Sequence, residues 1–404
     1  MRILSINTHG EIKGGASKVY LYANQLLAAR GHAVAYLNTG PVAGLAADSP
    51  FGYSLLADSA GSPLQRNARL AAGFIYRADA RALAERAVRE FRPDVVHIHN
   101  LQGHLSTAVL LPFQQRSIPI VHTLHDYRLI CPEIHFLSAG EVCEACKGGQ
   151  FKACAQKRCL KGSLVKSGLA ALGAYFNQRV YHYDGMIQAY IAPSRFLRDK
   201  MVEHGYAGQK ISVLPNAYFG SLPGSSGARR EHVLFAGRLS SEKGVDLLVR
   251  AAVGLGAPVL IAGDGPERAR LQALAEQVGA QNVRFLGFLN GADLAQLYQT
   301  ALLTVLPSRW YENGPLVVLE SFANATPLVG ARIGAVPEFV TEGQTGSLFA
   351  ANDSADLQRV LKTCLAQPDA LARMGSTAFS YVSANFSPGA YLDGLESILQ
   401  QAQK

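Results

Sequence analysis

No apolar run in the 404 residues approaches the ~18 that a membrane-spanning helix needs. No internal repeat and no low-complexity tail is present, so a repeat array is excluded. No G-x-G-x-x-G follows the first apolar segment, which speaks against a nicotinamide dehydrogenase on Rossmann-like domains. An Asp-x-Asp metal motif and a water-activating dyad are missing too. The opening MRILSINTHG has one Arg and few apolar residues before polar ones, so it reads as a first strand rather than a secretory signal. The expected compartment is the cytoplasm, with peripheral contact at an inner membrane left open. Acids are absent from Ala145 to Tyr183, while Lys147, Lys152, Lys157, Arg158, Lys161, Lys166 and Arg179 lie inside that stretch. Cysteine is nearly absent elsewhere: five of six fall between 131 and 159.

What is present reads as globular. Apolar residues make up 49% and charged residues 17%, outside the disordered range. The length exceeds one ordinary core, so two domains are expected. Lys plus Arg is 38 and Asp plus Glu 30, giving 38 − 30 = +8. Strand and helix patterns alternate: RILSIN, then ASKVYLYANQLLAARGH, then HAVAYLN, and later DVVHIHN, IPIVHTLHD and MIQAYIAPS, where Ser194 caps the next helix. Residues 218–230, YFGSLPGSSGARR, have linker composition. Beyond them the pattern restarts with HVLFAGR and with a helix opened by Pro266. Apolar strands alternating with helices predict an α/β chain with two doubly wound parallel sheets. The expected boundaries are 1–217, a linker at 218–230, 231–385, and a final helix at 386–404 that packs on the first domain. The ligand is expected in a cleft between the domains, outside the strand carboxyl ends.

The stretch ENGPLVVLE carries Glu312 and Glu320. Pro315 fits the first position of a helix, where its missing N–H costs nothing. Free backbone N–H groups near Gly314 to Val317 would then form an anion site, reinforced by the helix dipole. Glu320 lies about 7.5 Å further along the axis. A diphosphate at the helix start would put a ribose near Glu320 and leave Glu312 facing the group beyond the second phosphate. The plainer alternative is two surface acids flanking a core helix.

Several segments in this order resemble the GT4 family of retaining glycosyltransferases, which have the GT-B fold. They are the Gly14–Gly15 loop, AGRLSSEKGVDLLVRA, GDGPE, FLGFL, PSRWYENGPLVVLESFANATPLVGA and GAVPEFVTEGQTGSLF. The resemblance spans nearly the whole chain. It implies an enzyme that moves a hexosyl-type sugar from a nucleoside diphosphate to a saccharide or lipid-linked acceptor, as in bacterial surface polysaccharide synthesis. It implies Arg238 and Lys243 on the leaving diphosphate, Glu312 near the donor sugar and Glu320 on the ribose. Asn313, Gly314, Pro315 and Leu316 form the phosphate-contacting turn, and Gly287 and Phe288 lie where the base rests. Gly15 is placed toward the phosphate and acceptor, and His125 of HTLHDY beside the donor sugar. His97, His99 and His104 are packing or acceptor-site candidates. No metal is implied for the chemistry, and no nucleic acid as partner. Ala325 stands where relatives usually have Gly, and Ser321 where Ala is commoner. The alternative is a catalytically inactive GT-B-like binding or scaffold protein with a structural metal.

CEACKGGQFKACAQKRC reads Cys143-x2-Cys146-x7-Cys154-x4-Cys159, with Cys131 ahead of it. The C-x2-C step predicts a structural zinc site of four thiolates, with an iron–sulfur cluster second and reduced, unligated thiols as the plainer alternative. Cys131 is an additional ligand or a buried thiol. Similar insertions, here about residues 131–160, occur in a subset of GT4-like sequences. A metal would fold a polar segment expected to lack its own core. Just beyond, GSLVKSGLAALGAYFNQRVYHY is either an amphipathic helix on an anionic membrane or a core-packed helix.

Overall fold

The computed structural model describes residues 1–42, 52–55, 75–101, 105–222 and 230–404. The chain divides into two compact units. The first holds Met1–Ser138, Cys143–Pro215 and Gly389–Lys404; the second holds Asn216–Pro388 with Ala139–Val142.

The first unit is built on seven strands: β1 (Arg2–Ile6), β2 (Ala33–Thr39), β3 (Gly52–Leu55), β4 (Val95–Ile98), β5 (Ile120–Thr123), β6 (Ala189–Ala192) and β7 (Ile211–Val213). Their order is β3-β2-β1-β4-β5-β6-β7, all parallel. Ile3 sits between Val34 and Val95 in register. Ile3, Leu4, Ile6, Val95, Val96 and Ile98 are fully buried. A parallel sheet covered on both faces asks for such continuous apolar runs. Each buried side chain of this size contributes about 1.5–3 kcal/mol. The final helix, Pro388–Gln401, belongs to this unit. His32 Nε2 meets Glu396 Oε1 at 2.6 Å, and Arg30 reaches Asp393 and Glu396.

The second unit has β8 (His232–Ala236), β9 (Val259–Ala262), β10 (Val283–Gly287), β11 (Ala301–Leu306), β12 (Leu328–Ala331) and β13 (Gly346–Phe349). The order β10-β9-β8-β11-β12-β13 is again all parallel. Val233, Phe235, Ile261, Leu303 and Val305 form its core with helices Val245–Ala251 and Ser354–Leu365. Two Rossmann-like parallel sheets of this kind constitute the GT-B type of α/β fold.

Some expectations need correction. Pro266 lies in the turn before its helix, which begins at Arg268. Pro315 is the residue preceding the helix Leu316–Ala323, with extended backbone (φ −70°, ψ 112°), rather than its first member. Proline fixes φ but not ψ, so it fits either position. Strands β3, β7 and β13 carry too few apolar residues to stand out in the sequence, and the helix Pro368–Asn385 was not anticipated. Most of the expected linker, 223–229, lies outside the described residues, as does His104.

The helix Leu316–Ala323 ends in a Schellman turn: Thr326 N donates to Ser321 O and Ala325 N to Phe322 O. Ala325 takes the left-handed position at φ 52°. That conformation crowds a Cβ and costs about 1–2 kcal/mol, which explains the usual glycine there. Ala325→Gly is therefore expected to stabilise the chain by about 1 kcal/mol, raising the thermal midpoint by roughly 2 °C. Calorimetry of the two proteins checks this, and an unchanged or lower midpoint refutes it. Ser321 is fully buried, and its hydroxyl meets Thr304 Oγ1 and Thr326 O, each at 2.8 Å. The serine thus pins this helix to β11 where an alanine would not.

Candidate active site

In the second unit, Glu312 is 4% exposed. Its Oε1 accepts from Lys243 Nζ at 2.8 Å, Trp310 Nε1 at 2.8 Å and Ser308 Oγ at 2.5 Å. Three donors, one of them an ammonium, thus converge on a single oxygen of a buried side chain. Lys243 Nζ also stands 4.9 Å from the centre of the Trp310 ring. The lysine comes from a turn ending at Gly244, whose φ of 62° suits glycine. A Cβ at Gly244 would lie 2.0 Å from Pro307 O, so glycine lets this turn press against the end of β11. Arg309 Nη2 binds Asp246 Oδ2 at 2.7 Å, and Arg309 N donates to Glu242 O, tying the 308–311 segment to the same turn. Gly334 closes the far side: Ala335 N donates to Glu312 O at 2.8 Å, and a Cβ at Gly334 would fall 2.5 Å from Glu312 N.

Gly314 O accepts from Asn216 Nδ2 at 3.0 Å, and Asn313 is buried beside it. Pro315 and Leu316 lead into the helix, which carries Glu320 a turn further on. Glu320 Oε2 accepts from Tyr298 OH at 3.1 Å. Burial and then the Glu320 charge push the Tyr298 hydroxyl far above its ordinary pKa, so it stays a donor. Arg238 is exposed and makes no ion pair with a described residue. Gly287 ends β10 at φ 77°, and Phe288 next to it is 73% exposed. The structure therefore gathers Lys243 with Glu312 and leaves Arg238 as a separate loop cation. Ser308, Trp310, Asp246 and Arg309 escaped the sequence reading; the chain's one tryptophan, two residues before Glu312, was the available signal.

In the first unit, His125 and Asp126 follow β5 and line a pocket with His99, His122, Arg128 and Tyr183. Small residues Ala170, Gly173 and Ala174 of the helix Leu164–Tyr175 form one wall. His99 Nδ1 lies 2.9 Å from His125 Nε2, His122 Nδ1 3.1 Å from Tyr183 OH, and His97 Nε2 2.8 Å from Thr123 Oγ1. Burial drives all four imidazoles toward the neutral form: His97 to about 3, His122 and His125 to about 4, and His99 well below the ordinary value. His99 Nε2 is buried without a partner among the described residues. A buried lone pair is tolerated better than a buried unpaired N–H, so the proton of His99 belongs on Nδ1. His99 then donates to His125 Nε2, and His125 carries its own proton on Nδ1. Asp126 Oδ1 accepts from Arg128 N. Gly15 opens the helix Gly15–Ala29 and is exposed. His97 packs inside the sheet and does not line the pocket.

The cysteine segment departs from expectation. Among the described residues no group of three or more Cys, His, Asp or Glu is placed to hold a metal ion. Cys146, Cys154 and Cys159 nevertheless lie in one cluster, with Cys143 and Cys131 near enough to raise their neighbours' thiols. Cys146 and Cys154 pack with Phe151 and Ala171, against Cys159, Leu160 and Tyr175. The Phe151 and Tyr175 rings meet edge to face at 5.6 Å. The insert has the small apolar core that composition seemed to deny it. Burial pushes the thiols of Cys131 to about 12 and Cys146 to about 11, and raises Cys154 as well.

Residues 13–218 match the Glycosyltransferase Family 4 description, and residues 225–380 match Glycosyl transferases group 1. A glycogen synthase of Mycobacterium tuberculosis is 30% identical over 312 residues, covering 74% of this chain and 66% of that protein. An alpha-D-kanosaminyltransferase of Streptomyces kanamyceticus is 30% identical over 181 residues, 43% of this chain and 46% of its own length. The chain thus spans about two thirds, or less, of these relatives. Among solved structures, HepE of Anabaena in complex with UDP-glucose superposes with a TM-score of 0.71 at 18% identity, covering 99% of both chains. The sucrose-phosphate synthase of Thermosynechococcus elongatus gives 0.72 at 19%, covering 99% of this chain and 98% of that one. At such identity the likeness concerns the fold. Together with the matched residues, it places the chain in glycosyltransferase family 4.

Proposed function

We propose that the chain transfers a hexosyl-type sugar, with retention, from a nucleoside diphosphate to a saccharide or lipid-linked saccharide. Surface-polysaccharide assembly at the cytoplasmic side of a bacterial membrane is the setting this suits. The observation that carries the reading is the buried Glu312, bound by Lys243, Ser308 and Trp310 just ahead of the helix Leu316–Ala323. A carboxylate held this firmly next to backbone N–H groups suits a sugar hydroxyl on one side and a diphosphate on the other. With Oε1 filled by three donors, Oε2 is the atom offered to the sugar. Gly314, Pro315 and Leu316 bring main chain to the phosphates, beside Asn313. Arg238 and Lys243 offset the charge that grows on the leaving diphosphate. Glu320 takes the ribose, while Gly287 and the exposed Phe288 support the base. His125 and Gly15 serve the sugar and acceptor side.

In the favoured step the bond from the anomeric carbon to the diphosphate oxygen breaks. The acceptor hydroxyl oxygen bonds to that carbon on the same face, and its proton passes to the departing phosphate. A nucleoside diphosphate leaves, and no residue forms a covalent bond to the sugar. UDP-glucose bound by HepE makes a uridine donor the first to test. Thermal-shift titration against nucleoside diphosphates and their sugar conjugates should raise the melting midpoint by several degrees with one base. Glu320→Ala should cut that affinity about tenfold, the worth of roughly one charge-assisted hydrogen bond. No shift with any nucleotide would sink the proposal.

A further inference from the structure

The helix Leu164–Tyr175 has two contrasting sides. Its inner side places Ala170, Gly173 and Ala174 against the histidine pocket. Its outer side leaves Val165 71% exposed and Leu172 43% exposed. These two lie seven residues apart, about 10 Å and two turns along one stripe. Leu164 beside them and Val180 at the end of the following turn, Phe176–Val180, are exposed too. An aliphatic stripe gains nothing from water. Around it Lys157, Arg158, Lys161, Lys166 and Arg179 are all exposed. None forms an ion pair with a described residue, and the segment contains no acid. Surface segments usually mix both signs of charge; this helix, with Lys166 on it and the other cations on the chain just before and after it, joins bare aliphatic side chains to charge of one sign.

We infer that this face docks on an anionic lipid bilayer, with Val165 and Leu172 entering the headgroup boundary and the lysines and arginines binding lipid phosphates. An interfacial helix combines an apolar stripe with flanking basic residues in this way. Single-stranded nucleic acid is the weaker candidate, because its bases stack on aromatic side chains and the exposed apolar ones here are aliphatic. No helix among the described residues is long and apolar enough to cross a membrane, so the contact is with the surface. One helix thus bears the lipid-facing stripe and a wall of the histidine pocket, which suits an acceptor whose saccharide projects from a bilayer. The inference concerns binding alone and stands whether or not the chain proves to transfer sugar.

Cosedimentation of the full chain with vesicles tests it. Binding is expected to vesicles of equal parts phosphatidylcholine and phosphatidylglycerol, and not to pure phosphatidylcholine. Raising the ionic strength from about 0.05 M to about 0.5 M should release most of the protein, because the screening length falls severalfold. Lys161→Glu with Lys166→Glu should weaken partitioning at least about 30-fold, since each basic residue near such a surface contributes about fivefold. Val165→Asp with Leu172→Asp should abolish it while leaving every lysine in place. All four positions are exposed, so melting midpoints and nucleotide-induced shifts should match the parent protein and exclude misfolding. Failure to bind anionic vesicles at low salt overturns the inference. So does undiminished binding by both variants, or tight binding to single-stranded DNA without vesicle binding.

Discussion

Lys243→Ala is expected to lower the rate of sugar transfer by about 10²–10³-fold, the usual cost of removing one donor that stabilises a leaving anion. The lysine stands 2.8 Å from Glu312 Oε1, so its loss acts twice in the proposed reaction. It removes a cation from the diphosphate and one of three donors from the carboxylate that addresses the sugar. Ser308 and Trp310 remain, so Glu312 keeps two hydrogen bonds and the chain should still fold. Stability should fall by about 1–3 kcal/mol, less than for a buried pair with no other partners, because the lysine is partly open to solvent. Lys243→Arg restores charge but not the compact ammonium over the Trp310 ring, so it should recover only part of the rate. Steady-state assays with the donor found by thermal shift provide the check. A variant within threefold of the parent would remove Lys243 from the chemistry and leave Glu312 as a structural acid.

The second large effect is expected in acid. Desolvation pushes His97 to about 3, His122 and His125 to about 4, and His99 well below its ordinary value, which favours the neutral imidazoles in the folded chain. In the unfolded chain they bind protons near pH 6.5. Between pH 6.5 and 4 the unfolded state therefore holds more protons, and stability rises with pH across that window. The contribution is fully present above pH 6.5 and is lost progressively toward pH 4. Each imidazole adds up to about 1.4 kcal/mol per pH unit to the slope. Together they should cost several kcal/mol by pH 5, or roughly 10 °C in the melting midpoint of the first unit. The lowered carboxyls of Asp79 and Asp356 act mainly below this window. His97→Asn with His99→Gln should flatten the slope between pH 6 and 5, and a melting series across that range would show it. An equal slope in the variant would mean that the cluster is hydrated and already titrates normally.

Much of the scaffold was legible because its signals are local. Runs such as RILSI and HVLFA are apolar on both faces of a strand, which only a covered parallel sheet accommodates. Ser194 announced the helix Arg195–Glu203, and its hydroxyl accepts from Leu197 N. Gly244 and Gly334 permit close approaches to Pro307 and Glu312 that the chain alone does not disclose. Strands β3, β7 and β13 were missed because three or four residues carry little periodicity of their own. The surroundings of the cysteine segment were not legible for a related reason. Spacing points to thiols drawn together, but the partners that bury Cys146 and Cys154 include Ala171 and Tyr175 on the next helix, which spacing does not reveal.

By itself the sequence determined two parallel α/β sheets, the acid pair around the Gly-Pro turn, and a basic segment bare of acids. Those features follow from composition and short-range pattern, where a residue's neighbours in the chain are its neighbours in space. Only the tertiary structure decided that Lys243 and Glu312, 69 residues apart, form one buried pair. It alone set His99 against His125 across adjacent strands and turned Val165 and Leu172 outward. Such contacts depend on strand order and helix rotation, which are fixed by packing of the whole core rather than by any single stretch of chain.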